Sequence, residues 1–179
     1  MKSTSIATTG TDIVDLQVQA LEEEAFARFG QIIAPATHGG HFSDNDAQLD
    51  LHQGKPRFYI MTLPPKELAF KLITRHLKVT QCLASVGGKP WLIAVAPPND
   101  PDDPKAEPEP KHIAAFRIPG DVAIKLHRST WHIGPYTTTS VSFFNLELYD
   151  TNQVDHYPVE LDQRFGVTYR FAGPLAEGV

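Results

Sequence analysis

From residue 57 onward apolar residues recur at every second position, and this constrains the fold more than any other feature of the chain. The runs 57–62, 92–96, 113–118, 122–127, 139–148 and 167–171 are β-branched or aromatic and are broken by Gly, Pro and Asn. Short strands at such intervals describe a mainly β, antiparallel barrel or sandwich. The stretch 68–76 reads two ways. Leu68, Leu72 and Leu77 suit a helix, whereas Leu68, Phe70, Leu72, Thr74 and His76 alternate along one face of a strand; the surrounding sheet pattern favours the strand. Upstream, LEEEAFARFG places Leu21, Ala25, Phe26 and Phe29 at helical spacing, with acids in the first turn, Arg28 in the last and Gly30 at an αL stop. A brief strand at 31–34 and a polar loop at 37–55 carrying His38, His41 and His52 follow. Residues 1–12, rich in Ser, Thr and Gly, read as a flexible leader, and 13–179 as a single domain. Residues 97–110 hold six prolines and five acids and read as an exposed loop, because proline cannot donate to a central ladder. Gly87-Gly88 reads as a turn between strands.

Composition narrows the function classes. A chain of 179 residues can bury roughly 70% of the surface it exposes when unfolded, enough for one core. With 16 Lys and Arg against 21 Asp and Glu, the net charge of −5 offers no basic stripe for nucleic acid. No apolar run approaches the roughly 20 residues of a membrane span, and MKSTSIATTGTD lacks the apolar centre of a signal peptide. Cys82, the lone cysteine, cannot form an intramolecular disulfide, which agrees with a reducing compartment. The expected location is the cytoplasm.

The densest polar constellation is KLHRSTWHIGPY. A strand ends at His127, Arg128-Ser129-Thr130 form a turn, and Trp131-His132 resume the chain. In a hairpin the two imidazoles meet at the mouth of a barrel; in an extended chain their odd spacing puts them on opposite faces. Histidine suits proton transfer near neutral pH, and it is equally a hydrogen-bonded rim residue. With a third ligand such as His76 or His112, His127 and His132 would offer a zinc or nickel site, although the paired histidines and downstream glutamate of familiar barrel metal centres are missing. Arg57 and Arg75 each supply a fork for a small carboxylate if they face a pocket, and mere solvation if they do not. Cys82 reads as a buried, inert thiol and Ser129 as a turn residue.

Taken in order, EEAFARFGQII, Gly54, Arg57-Phe58, Arg75-His76 with Thr80-Gln81, LIAVAPP, Ala115-Phe116, His127 and Trp131-His132 resemble the ureidoglycolate lyase family, over about residues 16–150. The chain departs from the family pattern at Thr74, Leu77 and Ile133, which stand where an acid, a proline and a second histidine are usual. The resemblance implies a cupin-like β-barrel that works as a cytoplasmic homodimer late in purine and allantoin breakdown, a carbon–nitrogen lyase of the amidine-lyase type that eliminates urea from ureidoglycolate to give glyoxylate. A divalent metal is implied only by family analogy. On this reading His127 is the base and His132 the acid, while Arg57, Arg75, His76, Gln81 and Trp131 bind the small carboxylate substrate. The alternatives are a lyase or isomerase of another hydroxy- or keto-acid on the same barrel, and a non-catalytic small-ligand module, which predicts that His127 and His132 lie apart in a pocket lacking a convergent arginine.

Overall fold

A computed structural model of the chain describes residues 11–37 and 40–179. Most of the expected leader, together with His38, therefore lies outside the described residues. The chain is mainly β, as the alternation predicts. One sheet has six strands in the spatial order β10 (Trp131–His132), β7 (Trp91–Ala96), β8 (Ala114–Ile118), β1 (Asp12–Ala20), β13 (Val167–Ala172) and β4 (Ala69–Phe70). The other has five, in the order β2 (Gly30–Ile33), β9 (Ala123–Leu126), β6 (Gln81–Ser85), β11 (Val141–Leu148) and β3 (Pro56–Leu63). A two-stranded ribbon pairs β5 (Leu72–Ile73) with β12 (Val159–Glu160). The helices are short: α1 (Glu23–Phe26), α2 (Thr151–Val154) and α3 (Leu161–Phe165).

The two sheets face each other across an apolar core. All six residues of β7 are buried, so WLIAVA carries no alternation and reads as a continuous apolar run. Phe26 and Phe29 wedge the first helix against Phe116, with Phe26 and Phe116 edge to face at 5.4 Å; each such buried side chain contributes about 1.5–3 kcal/mol. Along β11 the inward positions change character, from Val141 and Phe143 to Asn145 and Glu147, all buried. Opposite them stand Tyr59 and Arg57 of β3, and on the other flank Leu83 of β6 faces Asn145. The lumen is therefore apolar at one end and polar at the other, and the polar end holds the candidate site.

Several expectations are corrected. The first helix spans four residues rather than the whole of LEEEAFARFG. Gly30 is not an αL stop: it opens β2, where a Cβ would lie 2.1 Å from the Lys125 carbonyl oxygen, so glycine is required there by the close approach of β9. Gly87 and Gly88 do form the expected turn, both with positive φ. The sheets are not purely antiparallel, because β1 pairs in parallel with both β13 and β8. The stretch 68–76 is extended but splits into β4 and β5, which join different sheets. No hairpin joins His127 to His132, since β9 and β10 also belong to different sheets. The proline-rich loop is exposed at its tip, yet Pro108 is buried and Asn99 half-buried because the loop packs back onto the barrel.

Candidate active site

At the polar end of the barrel a cavity of about 200 Å³ is lined by Tyr59, Lys66, Thr74, His76, Gln81, His132, Asn145 and His156 among others. Two antiparallel bonds place the two buried histidines side by side: Thr74 and His132 exchange backbone hydrogen bonds of 2.9 and 2.7 Å. The rings of His76 and His132 stand 5.0 Å apart, centre to centre, and His156 lies 5.9 Å from His76.

The backbone fixes the tautomer of each buried ring. His76 Nδ1 is 2.6 Å from the Asp155 carbonyl oxygen, and His132 Nδ1 is 2.9 Å from that of Thr130. A carbonyl only accepts, so both Nδ1 atoms carry a proton and both neutral rings keep a lone pair on Nε2. Burial lowers the pKa of both. His132 is brought down to about 3 by desolvation, with the neighbouring His76 adding to the effect; His76 is lowered by desolvation against the opposing pull of Asp155. Asp155 also accepts from the backbone N–H groups of Leu77 and Lys78 at 2.8 Å each, pinning the turn that presents His76.

A polar network covers the opposite wall. Glu147, 1% exposed, accepts from Tyr59 Oη at 2.8 Å, Gln81 Nε2 at 3.1 Å and Asn152 Nδ2 at 3.2 Å. Because the carboxylate can only accept, Gln81 turns its NH₂ toward Glu147 and Asn145, and its buried Oε1 has no protein partner; neither has the hydroxyl of Thr74. Lys66 supplies the positive charge. Its Nζ donates to the Pro135 carbonyl at 3.0 Å, lies 4.5 Å from the Tyr136 ring centre and has no carboxylate partner among the described residues; partial burial lowers its pKa.

The residues singled out in the sequence scatter around this cavity. His76, Gln81 and His132 line it. Arg57 lies just outside on the same face of β3, its guanidinium 3.7 Å from the centre of the Tyr59 ring. Arg75 faces away: fully buried, it donates to the carbonyls of Asn99, at 2.9 Å, and of Asp103, and stacks 4.5 Å from Trp131. Trp131 is likewise buried outside the cavity and donates to Asn99.

His127 is not brought to His132. It borders a separate cleft of about 700 Å³, where Nε2 bonds the Ala27 carbonyl and Nδ1 the ammonium of Lys125, each at 3.0 Å. That separation, and the lack of an arginine among the lining residues, are the marks expected of a binding module; here, however, His76 and Lys66 occupy the corresponding places. Lys66, Thr74, Asn145, Glu147 and Asp155 were missed. No motif marks Glu147 within its strand, and Asp155 lies beyond residue 150, where the family resemblance ends.

The described residues do not fit the metal centre suggested by analogy. No three His, Cys, Asp or Glu side chains among them converge as ligands, His112 instead faces Glu109 at 3.5 Å, and Glu147 is held by three donors.

A family model described as ureidoglycolate lyase matches residues 13–165. A ureidoglycolate lyase of Azotobacter vinelandii is 26% identical over 129 residues, covering 65% of this chain and 74% of the relative. One from Pseudomonas syringae pv. tomato is 30% identical over 131 residues, covering 65% and 72%. Among solved structures, a dTDP sugar isomerase from Desulfovibrio desulfuricans aligns with a TM-score of 0.40 at 15% identity, covering 84% of this chain and 89% of that one.

Proposed function

The chain belongs to the ureidoglycolate lyase family, and we propose from that premise that it eliminates urea from ureidoglycolate to give glyoxylate, as a carbon–nitrogen lyase of the amidine-lyase type. The observation that carries the reading is the pair of Nε2 lone pairs that His76 and His132 bring to one small cavity. A volume of about 200 Å³ falls below the roughly 300–1,000 Å³ typical of drug-sized ligands and suits a small acid.

Ureidoglycolate carries a hydroxyl, a carboxylate and a ureido nitrogen on one carbon. Elimination removes the hydroxyl proton, turns the O–H electron pair into the new C=O bond, and sends the C–N pair out with the nitrogen, which must be protonated. Two neutral imidazoles cannot begin as base and acid. One takes the hydroxyl proton on Nε2, and the pair delivers the same proton to departing urea, so the balance closes inside the site. Lys66 binds the carboxylate, in place of the expected arginines. Gln81 Oε1, held outward by Glu147, accepts a ureido N–H, and the Thr74 hydroxyl meets the substrate oxygen. Each unpartnered buried polar atom costs about 1–3 kcal/mol, so a substrate that satisfies them is favoured over one that does not. A divalent metal would supply Lewis-acid polarisation, yet these residues assemble no ligand set for it, and no step here depends on one.

We also propose that the active form is a cytoplasmic homodimer acting in allantoin breakdown. The outer face of the five-stranded sheet exposes Phe58 by 68% and Ile60 by 56% on the edge strand β3, with Phe144 stacked on Phe58. A long apolar edge is a surface that proteins cover, and a second copy is the occupant the family resemblance indicates. Cys82 is partly rather than fully buried, and desolvation raises its pKa to about 11, which disfavours a reactive thiolate. Among the described residues no helix is long and apolar enough to cross a membrane.

The deciding experiment measures urea and glyoxylate release from ureidoglycolate, with and without chelator. Stoichiometric release of both is expected. Binding without turnover would establish a non-catalytic module instead, and turnover of another hydroxy- or keto-acid alone would leave the barrel and remove the substrate.

A further inference from the structure

Asn99, in the proline-rich loop, holds side chains from two separate segments of the chain at once. Its Oδ1 accepts from the Trp131 indole N–H at 2.7 Å, and its backbone carbonyl accepts from Arg75 Nη1 at 2.9 Å. Its own Nδ2 donates to the Glu107 carbonyl at 2.6 Å, which ties the two limbs of the loop together. Arg75 and Trp131 have one thing in common: each immediately precedes a cavity histidine. Successive residues of an extended chain point to opposite faces, so His76 and His132 face the cavity while Arg75 and Trp131 face the loop, stacked 4.5 Å from each other. The loop is latched at further points, by Arg75 to the Asp103 carbonyl and by Ser129 Oγ to the Pro101 carbonyl. Of these anchors, Asn99 alone engages both residues that precede the histidines.

We infer that Asn99 is a positioning residue for the His76–His132 pair. It fastens both histidine-bearing segments from behind and so sets the spacing and tilt of the two rings without touching substrate. This inference rests on the reading of that pair as the proton carrier. Around metal-bound histidines, partners that orient the ring matter by about 10–100-fold when removed; the same order is expected of a ring that carries a proton, because misplacing a reacting group by about 1 Å costs a comparable factor.

The test compares Asn99→Ala and Asn99→Asp in the full chain, by steady-state kinetics and by imidazole ¹H–¹⁵N correlation spectra. Asn99→Ala removes the bonds to Trp131 and Glu107 but keeps the carbonyl that holds Arg75; it is expected to lower kcat by about 10–100-fold while KM changes little, and to move the ring nitrogen signals of His132 most, those of His76 less and that of His127 not at all. Asn99→Asp keeps the acceptor for Trp131 and is expected to recover most of kcat. Should the alanine variant fail to fold, Asn99→Leu, closer in volume, carries the same comparison. Unchanged ring signals together with unchanged kcat would overturn the inference and leave the loop a purely structural clasp. The underlying reading fails differently: if His132→Gln retains full turnover, the pair is not the proton carrier, whatever Asn99 does to the rings.

Discussion

Two histidines five positions apart, His127 and His132, have opposite hydrogen-bond arrangements, and the contrast shows what makes an imidazole available for chemistry. At His132 the backbone takes Nδ1 and leaves Nε2 open to a small cavity. At His127 the Ala27 carbonyl takes Nε2, so the lone pair is on Nδ1, and Lys125 donates to it. Both nitrogens of His127 are occupied, in the larger of the two clefts. Cleft size and residue type therefore do not identify the reactive ring; the partners of its two nitrogens do.

The largest expected effect separates these rings directly. His132→Gln should lower kcat/KM by about 10²–10⁴, the range for a positioned proton transfer, whereas His127→Gln should leave it within a few-fold. Equal losses in a urea-release assay would break the comparison. Next come the two lysines. Lys66→Met should raise KM by about 10–100-fold, as expected from losing a charged hydrogen bond worth roughly 1.5–3 kcal/mol, while Lys125→Met should alter the melting temperature and not KM.

Acidity sharpens the contrast further. Burial holds His76 and His132 below the ordinary histidine value, with His132 at about 3, and the neutral form is the reactive one. The histidine-dependent part of activity should therefore be level just above pH 6.5 and fall on the acid side, below that value, with a separate alkaline fall where Lys66 loses its proton, early for a lysine because burial lowers its pKa; a pH–rate profile with its acid limb centred above 6.5 would contradict the assignment. Folding follows the same sign. Between about pH 6.5 and 3 the unfolded chain binds a proton at His132 that the native state refuses, so stability is lost as pH falls through this window, and His132→Gln should flatten that loss in urea melts. The smallest effect expected is that of Gly30→Ala, which forces β2 away from β9 beside the His127 cleft. Overpacking of this kind costs about 1–3 kcal/mol, visible as a lower melting temperature with the His132 ring signals in place.

Strand alternation was readable where side chains alternate between a buried and a half-buried face, as along 141–147; in 57–62 it was readable although no residue there is buried and Phe58 and Ile60 stand on the open face. It was equally present in VDLQVQA, the body of β1. What the local pattern could not announce was that β1 runs parallel between Phe116 on one flank and Phe171 on the other, because those partners lie far along the chain. The site divides similarly. His76, Gln81 and His132 stood out as residue types. The choice between His76 and His127 as partner of His132 depended on which sheet each strand joins, and Arg75 could not be told from a substrate clamp until its guanidinium was seen bonded to loop carbonyls. Lys66 carries no motif; only the cavity it borders marks it.

The pairing of β1 also has a consequence for biosynthesis. Its first half is completed by Val167–Ala172 and its second by Ala115–Arg117. During translation the second half of β1 can pair once Ala115–Arg117 has emerged, whereas its first half must wait, with that edge open, until Val167–Ala172 follows. Long-range pairing of this kind slows folding and leaves strand edges exposed to aggregation, which makes the interval before β13 emerges the period in which a chaperone has most to protect.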